Sequence, residues 1–361
     1  MTIDVAIFLG AGASKAEGAP LQGELFYDYF SSNEFQKNSN EMDRELATFF
    51  NSMFNIEIDK KENLKNIIFP TFEEVLGMID LGLLRKESFK DFDLENRASN
   101  SGRLRTIAQH LVFLVAKTLD QKLKTSTTIH KQLVGQLLNA NLLKKTAFIS
   151  TNYDILIDNA LTDKFHSVDL NYGVDFRNFN WPDDWKRPKL SKNVYLLKLH
   201  GSLNWLFCPT CNELEITPKE KGVVTKLITN FEDAACKECD GIYSPIIIPP
   251  SFHKDMNNVF LGEIWNKADN ILRKVKHIIF CGYSFPDADI HIKYLLKRAQ
   301  VNRRSQLHFT VINHYKDKKP SICADEKYRY ERFLGASSIN YTNKSFEDFA
   351  KNPFEIISSL L

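Results

Sequence analysis

The sequence predicts a doubly wound parallel α/β fold for this chain. Five short β-rich runs each end in a small or polar residue, and a turn or a helical pattern follows each run. Their near-continuous apolar character is typical of strands that are buried on both faces of a parallel sheet. The runs cover residues 4–10, 146–150, 194–200, 276–284 and 306–313. Segments with helical periodicity alternate with the runs, as a doubly wound sheet requires, and they cover residues 102–123, 128–141, 262–275 and 289–299.

The spacing of the strands predicts one domain, residues 1–361, with two insertions. The stretch between the first two strands is mostly helical in pattern and too long for a single crossover, so we expect a helical insertion over residues 31–145. A second insertion, over residues 205–245, contains four of the six cysteines. We expect it to form a small module of its own.

Charge and hydropathy exclude several classes of protein. A formal net charge of +2 is nearly neutral, and the lysine-rich stretches also contain acidic residues, so no nucleic acid or anionic membrane is indicated as a partner. No segment reaches the ~20 apolar residues of a membrane span. The first residues lack the basic flank and cleavage site of a secretory signal. We therefore expect a cytoplasmic protein.

The turn after the first strand, Gly10 to Ser14, has two interpretations. Gly10 and Gly12 allow the backbone to bend tightly and to approach a ligand, and Ser14 is expected to cap the helix that follows. The helix dipole and free backbone N–H groups would then favour a phosphate. However, Gly18 comes too late for the third glycine of the dinucleotide-binding fingerprint. A phosphate-binding loop and an ordinary strand–turn–helix connection both remain open.

Polar side chains also follow the next two strands. Asn152 and Asp154 come directly after the run that ends at residue 150, and His200 ends the following run. At the carboxyl edge of a parallel sheet these groups could contact a ligand, and His200, with Gly201 behind it, could present an accessible imidazole as a general base. The structural alternatives are that Asn152 supports the turn, Asp154 caps the next helix, and the histidine is part of the core.

Small or polar residues also lie at the ends of the last two predicted strands. Gly282 and Ser284 allow another close backbone approach, and Asp287 or Asp289 can cap the next helix. Asn313 ends the fifth run, where the ribose of an adenosine could bind.

Four cysteines form the pattern C-x2-C-x24-C-x2-C; they are Cys208, Cys211, Cys236 and Cys239. Two such pairs can supply the four thiolates of a structural zinc site, which leaves no coordination position for chemistry. A redox role is the alternative. Cys281 and Cys323 have no partner in the pattern, and we expect them to be inert.

Taken in order, these motifs resemble those of the sirtuin superfamily. The similarity extends from residue 4 to about residue 315. The matching segments are Gly10-Ala11-Gly12-Ala13-Ser14, Thr151-Asn152-Tyr153-Asp154, His200-Gly201, the four paired cysteines, Gly282-Tyr283-Ser284 and Asn313.

The resemblance implies a Rossmann-like, sirtuin-type sheet, NAD+ as substrate and a structural Zn²⁺. It also implies a role for each matching residue: Asn152 would position a water or the ribose, Asp154 would bind the nicotinamide end, and His200 would act as the base. The cofactor contacts would come from Gly10, Ala11, Gly12, Ala13 and Ser14 at the pyrophosphate, from Gly282 and Ser284, and from Asn313 at the ribose.

Two departures bear on the reaction. Leu21-Gln22-Gly23-Glu24 replaces the Phe-Arg of the protein deacylases, and 242-IYSPIIIPPSF-252 replaces the strand that pairs with their peptide substrates. Pro245, Pro249 and Pro250 lack the backbone donors that such pairing uses. The helical insertion and the segment 284-SFPDAD-289 look more like the bacterial sirtuin-like proteins of anti-phage defence.

The expected function is therefore an NAD+ hydrolase (NADase) that releases nicotinamide and ADP-ribose and depletes NAD+ in abortive infection. The resemblance also implies a homo-oligomer, or a HerA-type ATPase (helicase) as partner. Two alternatives remain: an NAD-dependent protein deacylase, and a non-catalytic sensor subunit that binds NAD or ADP-ribose.

Overall fold

The computed structural model describes residues 3–58, 64–94, 103–123, 128–162, 168–176, 188–189, 193–216, 235–236, 238–247, 258–314 and 318–358. The chain forms two compact units. The first comprises Met1–Ala19, Thr125–Ile247 and Met256–Leu361, and the second comprises Pro20–Lys124 and Ile248–Asp255.

The first unit is built on a seven-stranded sheet and a three-stranded sheet. In chain order the strands are β1 (Val5–Leu9), β2 (Thr146–Ser150), β3 (Asp169–Asn171), β4 (Asn193–Lys198), β5 (Gly201–Phe207), β6 (Leu214–Ile216), β7 (Ser244–Ile247), β8 (His277–Cys281), β9 (His308–Ile312) and β10 (Ile339–Thr342). The large sheet has the order β10-β9-β8-β1-β2-β4-β3, and all its neighbouring strands are parallel. This order confirms the predicted doubly wound fold.

The order of the strands reverses at β1. The chain builds one half of the sheet from β1 through β2 to β4 and then returns to place β8 on the other side of β1. Leu9, the last residue of β1, pairs with Ser150 of β2 and with Cys281 of β8, so these three strands end level with one another. In sheets of this class ligands bind where the order reverses, outside the carboxyl ends of the strands.

The central strands are the core of this unit. All residues of β1, β2 and β8 are buried, which explains why their sequences do not alternate between apolar and polar residues. Helices complete the unit: Ala11–Lys15, Ile129–Asn139, Leu156–Leu161, Val259–Leu272, Ile290–Val301, Pro320–Leu334, Phe346–Lys351 and Pro353–Ile357.

A distant carboxylate caps the helix Ile129–Asn139. Glu17 accepts hydrogen bonds from the backbone N–H groups of Thr128, Ile129 and His130 at 3.1, 2.7 and 3.0 Å. Its Oε1 also lies 3.1 Å from Nδ1 of the His130 ring. Burial alone would raise the pKa of Glu17, but these bonds outweigh it and lower the pKa to about 2. The segment after β1 is thereby tied to this helix.

The three-stranded sheet is antiparallel and has the order β6-β5-β7. Its central strand β5 begins at Gly201, directly after the histidine that ends the predicted third run. Gly201 has a φ of +83°, and a Cβ at this position would lie 1.9 Å from the carbonyl oxygen of Ile246. Only glycine fits here, because the chain turns sharply and passes against β7.

The second unit is helical in its described part, with the helices Leu25–Phe30, Asn33–Asn38, Glu41–Phe54, Phe72–Arg85 and Arg103–Lys122. Aromatic rings form its core, and Phe26, Phe30 and Phe50 contact one another with ring centroids 4.7 to 6.3 Å apart. Asn40 and Thr71 begin two of the helices with capping boxes. Within the described residues, no helix combines the length and apolar character needed to cross a membrane.

Candidate functional site

The glycines of the opening turn are required by a neighbouring loop. A Cβ on Gly10 would lie 2.7 Å from the carbonyl oxygen of Gly282, and one on Gly12 would lie 2.8 Å from the Cα of Gly282. Gly282 itself has a φ of +61°, and its Cβ would lie 2.2 Å from the backbone nitrogen of Ala13. The turns that follow β1 and β8 therefore pack backbone against backbone, which accounts for all three glycines without a ligand.

Three N–H groups of the opening turn already have acceptors within the protein. Gly10 donates to the carbonyl of Cys281 at 3.0 Å, Gly12 to that of Gly282 at 2.8 Å, and Ala13 to that of Gly10 at 2.9 Å. Ala11 is the first residue of the short helix Ala11–Lys15, and it is exposed. Of the two interpretations of this turn, the tight strand–turn–helix connection accounts for these bonds.

Ser14 does not cap the helix, contrary to the sequence-based expectation. The helix begins at Ala11 with Gly10 as its N-cap residue, and no side chain caps it. Instead the buried Ser14 hydroxyl donates to Oδ2 of Asp154 at 2.6 Å and accepts from Nδ2 of Asn152 at 2.8 Å. With Ser14 as its N-cap the helix would begin at residue 15, but it begins at Ala11, four residues earlier, and the serine instead contacts the residues that follow β2.

Asn152 has a fixed amide orientation. Its Nδ2 donates to the carbonyl of Gly10 at 2.9 Å as well as to Ser14. Because a carbonyl oxygen can only accept, the nitrogen and not the oxygen of the amide must face Gly10. Among the described residues no hydrogen bond involves Oδ1 of Asn152, so this oxygen can accept a hydrogen bond from a ligand or a water.

Asp154 uses both of its carboxylate oxygens within the protein. Oδ2 accepts from Ser14, and Oδ1 accepts from the backbone N–H of Leu156 at 3.1 Å, at the start of the helix Leu156–Leu161. The side chain is buried. Asp154 thus satisfies a helix terminus, as the structural alternative held, and also fixes the Ser14 hydroxyl against Asn152.

His200 lies just after β4, the strand next to β2 in the sheet. The sequence suggested an accessible imidazole, but the residue is buried and only 4 % exposed. Leu199 donates to the carbonyl of Ser150 at 2.9 Å, and Leu203 donates to the carbonyl of Tyr153 at 2.9 Å. The chain on both sides of His200 is therefore joined to the segment that carries Asn152 and Asp154.

The loop after β8 is held by the helix Pro320–Leu334. Arg329 donates through Nε and Nη2 to the carbonyl of Ser284 at 3.2 and 3.1 Å, and Tyr330 donates to the carbonyl of Tyr283 at 2.6 Å. Asp289 is the N-cap residue of the helix Ile290–Val301, yet its side chain does not cap it and instead accepts from the Tyr283 hydroxyl at 2.8 Å. The sequence analysis did not identify Arg329 or Tyr330, the two residues that hold this loop.

Asn313 lies just after β9 and contacts a buried carboxylate. Its Nδ2 donates to Glu326, and its Oδ1 accepts from Lys318 at 3.3 Å. Lys318 also pairs with Glu326 at 3.1 Å, and Glu326 is 2 % exposed. A ligand at Asn313 would therefore meet this carboxylate and ammonium as well as the amide.

The four paired cysteines lie together, and their sulfurs are all within 4.8 Å of one another. The Cys208 and Cys239 sulfurs are 3.4 Å apart, and those of Cys211 and Cys236 are 3.6 Å apart. Tetrahedral zinc with Zn–S bonds of about 2.3 Å requires sulfurs roughly 3.8 Å apart. The cluster therefore fits a zinc ion after small adjustments, and none of the four thiols is in a disulfide.

The surroundings of the cluster favour thiolates at two positions. Burial raises the pKa of Cys236, but the backbone N–H of Glu238 and the Tyr243 hydroxyl oppose this effect, and the pKa falls to about 6. Cys208 shifts in the same direction for the same kind of reason. Metal ligation uses the thiolate form, so these two sites are prepared for it.

The sheet and the site define a class of protein: a doubly wound parallel α/β protein with a tight glycine turn and a buried polar cluster where its strand order reverses. A family model for the SIR2-like domain matches residues 146–341, which is more than half of the chain. The chain therefore belongs to the SIR2-like family. No curated protein sequence matches it.

Solved sirtuin structures are similar to this chain at low sequence identity. A crystal structure of a Sir2 homolog–NAD complex is 13% identical with a TM-score of 0.47, over 98% of this chain and 89% of that chain. Sir2Tm bound to a propionylated peptide is 13% identical with a TM-score of 0.41, over 98% and 93%. A Sir2–p53 peptide–NAD+ complex is 14% identical with a TM-score of 0.41, over 99% and 94%.

Proposed function

We propose that this chain binds NAD+ at the carboxyl edge of the large sheet and hydrolyses its nicotinamide N-glycosidic bond. The observation that carries the proposal is the hydrogen-bonded cluster where β1 and β2 end, in which the half-buried Asn152 is held by the buried Ser14 and Asp154. It leaves one amide oxygen of fixed orientation at the point where a doubly wound sheet binds its ligand. Membership of the SIR2-like family supports NAD+ as that ligand.

The reaction places few demands on the protein. The bond between the ribose carbon and the pyridinium nitrogen breaks, and its electron pair neutralises the ring, so nicotinamide leaves without a general acid. Water forms the new bond to the ribose carbon and loses a proton, which gives ADP-ribose. The transition state resembles an oxocarbenium ion, as in glycoside cleavage. The protein must hold the dinucleotide, exclude bulk water and orient one water.

Asn152 and His200 divide the work at the reacting carbon in this proposal. Oδ1 of Asn152 accepts a hydrogen bond from the attacking water or from a ribose hydroxyl. His200 takes the proton of that water as general base, and its low exposure keeps bulk solvent away from the imidazole. Asp154 keeps Ser14 and Asn152 in place and borders the space for the nicotinamide ring.

The remaining contacts hold the rest of the dinucleotide. Since Gly10, Gly12 and Ala13 donate to protein carbonyls, the pyrophosphate would contact the turn mainly at Ala11, whose N–H has no acceptor within its helix. The loop with Gly282 and Ser284 would border the other side, and Asn313 with Glu326 would accept the hydroxyls of the adenosine ribose.

One feature of the described residues favours hydrolysis over peptide deacylation. Pro245 lies in β7, at the edge of the three-stranded sheet, and supplies no backbone donor to a peptide strand. Pro249 and Pro250 lie outside the described residues. From the sequence resemblance alone, we further propose a cytoplasmic role in anti-phage abortive infection, as a homo-oligomer or with a HerA-type ATPase. The clustered sulfurs support a further proposal, a structural Zn²⁺ held by the four cysteines.

The test is to incubate the purified protein with NAD+, alone and with its operon neighbour, and to follow free nicotinamide and ADP-ribose. Release that needs no peptide supports hydrolysis, whereas release only with an acyl-lysine peptide supports the deacylase. Binding of NAD+ without release in the partner-complete assembly supports the sensor. His200→Ala should fold but lose most NAD+ consumption, and unchanged turnover would refute the role of His200.

A further inference from the structure

A fully buried lysine lies beneath the candidate site. Lys198, the last residue of β4, is 0 % exposed, and its Nζ lies 3.1 Å from Oδ2 of Asp158, which is 3 % exposed. A charge removed from water in this way is costly unless it is paired and hydrogen-bonded. Lys198 follows Leu196 and Leu197 at the buried end of β4, so a charged side chain there requires a physical explanation.

The second bond of Lys198 connects it to the site. Its Nζ also donates to the backbone carbonyl of Asp154. Asp154 is the residue whose carboxylate accepts from Ser14, and Ser14 accepts from the amide of Asn152. Hydrogen bonds on the main chain and on the side chain of Asp154 therefore connect the ammonium group to the amide whose oxygen is available to a ligand.

The other end of this chain reaches the segment after His200. Tyr172 donates to Oδ1 of Asp158 at 2.6 Å and is hydrogen-bonded to Asn204, whose Oδ1 accepts from Ser202 at 2.6 Å. Burial and the Asp158 charge raise the pKa of Tyr172 well above its usual range, so the hydroxyl remains a donor. The residues at this end of the network are all buried: Lys198, Asp158, Tyr172, Asn204 and Ser202.

We propose that Lys198 is a positioning residue: it fixes the main chain at Asp154 and thereby the orientation of Ser14 and Asn152 toward the ligand. This inference rests on the proposed function for its effect on turnover. Stability alone does not explain the lysine, because apolar residues of similar volume can replace a buried ion pair without loss. The ammonium group differs from such residues in that it holds a main-chain carbonyl and a carboxylate at once.

The experiment separates positioning from stability with three variants. Lys198→Met leaves Asp158 buried without its cation and should lower the melting temperature. Lys198→Met/Asp158→Asn removes both charges and should recover most of that loss, yet its kcat for nicotinamide release should stay about 10- to 100-fold below wild type with little change in KM, because Asp154 is no longer held. Asp158→Asn alone keeps the Lys198 donor and should retain more of kcat than either.

A second measurement works without any enzymatic activity. Backbone hydrogen exchange over residues 150–158 should be faster in the double variant than in wild type at matched stability. The matched control is Lys117→Met/Glu34→Gln, which removes a pair with a 3.1 Å separation in the helical unit. It should change neither exchange over 150–158 nor kcat.

The activity and exchange of the double variant decide between positioning and a purely structural ion pair. A double variant with wild-type kcat and wild-type exchange would show that Lys198 is only a structural ion pair and would overturn the proposal. If wild type releases no nicotinamide, the proposed function fails, and the exchange data alone decide whether Lys198 holds the Asp154 segment.

Discussion

The side-chain amide of Asn152 donates to the backbone carbonyl of Gly10 at 2.9 Å, although 142 positions separate the two residues in sequence. This bond joins the ends of β2 and β1 and determines which way the amide faces. A side chain that would otherwise rotate freely thereby presents its oxygen in one direction.

Replacing Asn152 with Ala should leave the protein folded and reduce nicotinamide release by about 10²- to 10⁴-fold, if water orientation is its role. Asn152→Asp should be at least as inactive. A carboxylate has no N–H group to donate to the Gly10 carbonyl, and its oxygen would be repelled by that carbonyl oxygen. The control is Asn270→Ala, on the exposed face of the helix Val259–Leu272. Normal turnover in Asn152→Ala, measured by nicotinamide release, would contradict the assignment.

Replacing Gly282 with Ala should destabilise the protein by at least about 2 kcal/mol, since the new Cβ would meet the Ala13 nitrogen in a left-handed backbone conformation. Gly262→Ala is the matched control: it lies in a helix with no atom within 4 Å of an added Cβ. That change should stabilise by about 0.5–1 kcal/mol. The midpoint of urea denaturation measures the stability of both variants. Equal midpoints for Gly282→Ala and wild type would disprove the packing argument.

Replacing Glu17 with Gln should cost about 2 kcal/mol of unfolding free energy, because charge-assisted bonds to three backbone N–H groups and to His130 are weakened. Folding lowers the pKa of Glu17 from 4.5 to about 2. Its contribution is therefore complete above pH 4.5 and is lost as the pH falls toward 2.

Acid unfolding monitored by circular dichroism tests this prediction. Glu17→Gln should show a smaller loss of stability between pH 4.5 and 2 than wild type. Glu347→Gln, at an exposed position in the first turn of the helix Phe346–Lys351, serves as the control and should behave like wild type. Parallel pH profiles for Glu17→Gln and wild type would count against the capping role.

The cysteine cluster should hold one zinc ion per chain, measured by elemental analysis of the purified protein. Cys236→Ser should lose the metal and lower the melting temperature, because four sulfur ligands are needed to close the site. Cys323→Ser is the control, since Cys323 lies outside the cluster, and it should keep the metal. Full zinc content in Cys236→Ser would exclude the site.

The sequence predicted five of the seven strands of the large sheet, but it missed the short strands β3 and β10 and the three strands of the smaller sheet. The runs that became β1, β2, β4, β8 and β9 are rich in apolar residues, and most of their residues are buried, as in strands covered on both faces. β3 and β10 have three and four residues, and they include the polar Asp169, Asn171 and Asn340. They form only because an existing sheet edge pairs with them, which a local pattern does not reveal.

The helical insertion was predicted over residues 31–145, and the compact helical unit comprises Pro20–Lys124 with Ile248–Asp255. The helix Ile129–Asn139 belongs to the sheet-bearing unit instead. Its periodicity is the same as that of the preceding helices, so the pattern alone could not assign it. The carboxylate of Glu17, more than 100 positions earlier, provides the bonds at its start.

By itself the sequence determined the five apolar runs that form strands, the four paired cysteines and the turns rich in glycine, because these depend on side-chain type and local spacing. Only the tertiary structure decided what those turns do: Gly10, Gly12 and Gly282 meet one another, and Ser14 faces Asp154 instead of its own helix. It also revealed Lys198 beneath the site. Hydrogen bonds between residues 40 to 142 positions apart fix these roles, and such pairings depend on how the strands are ordered in space rather than on any local pattern.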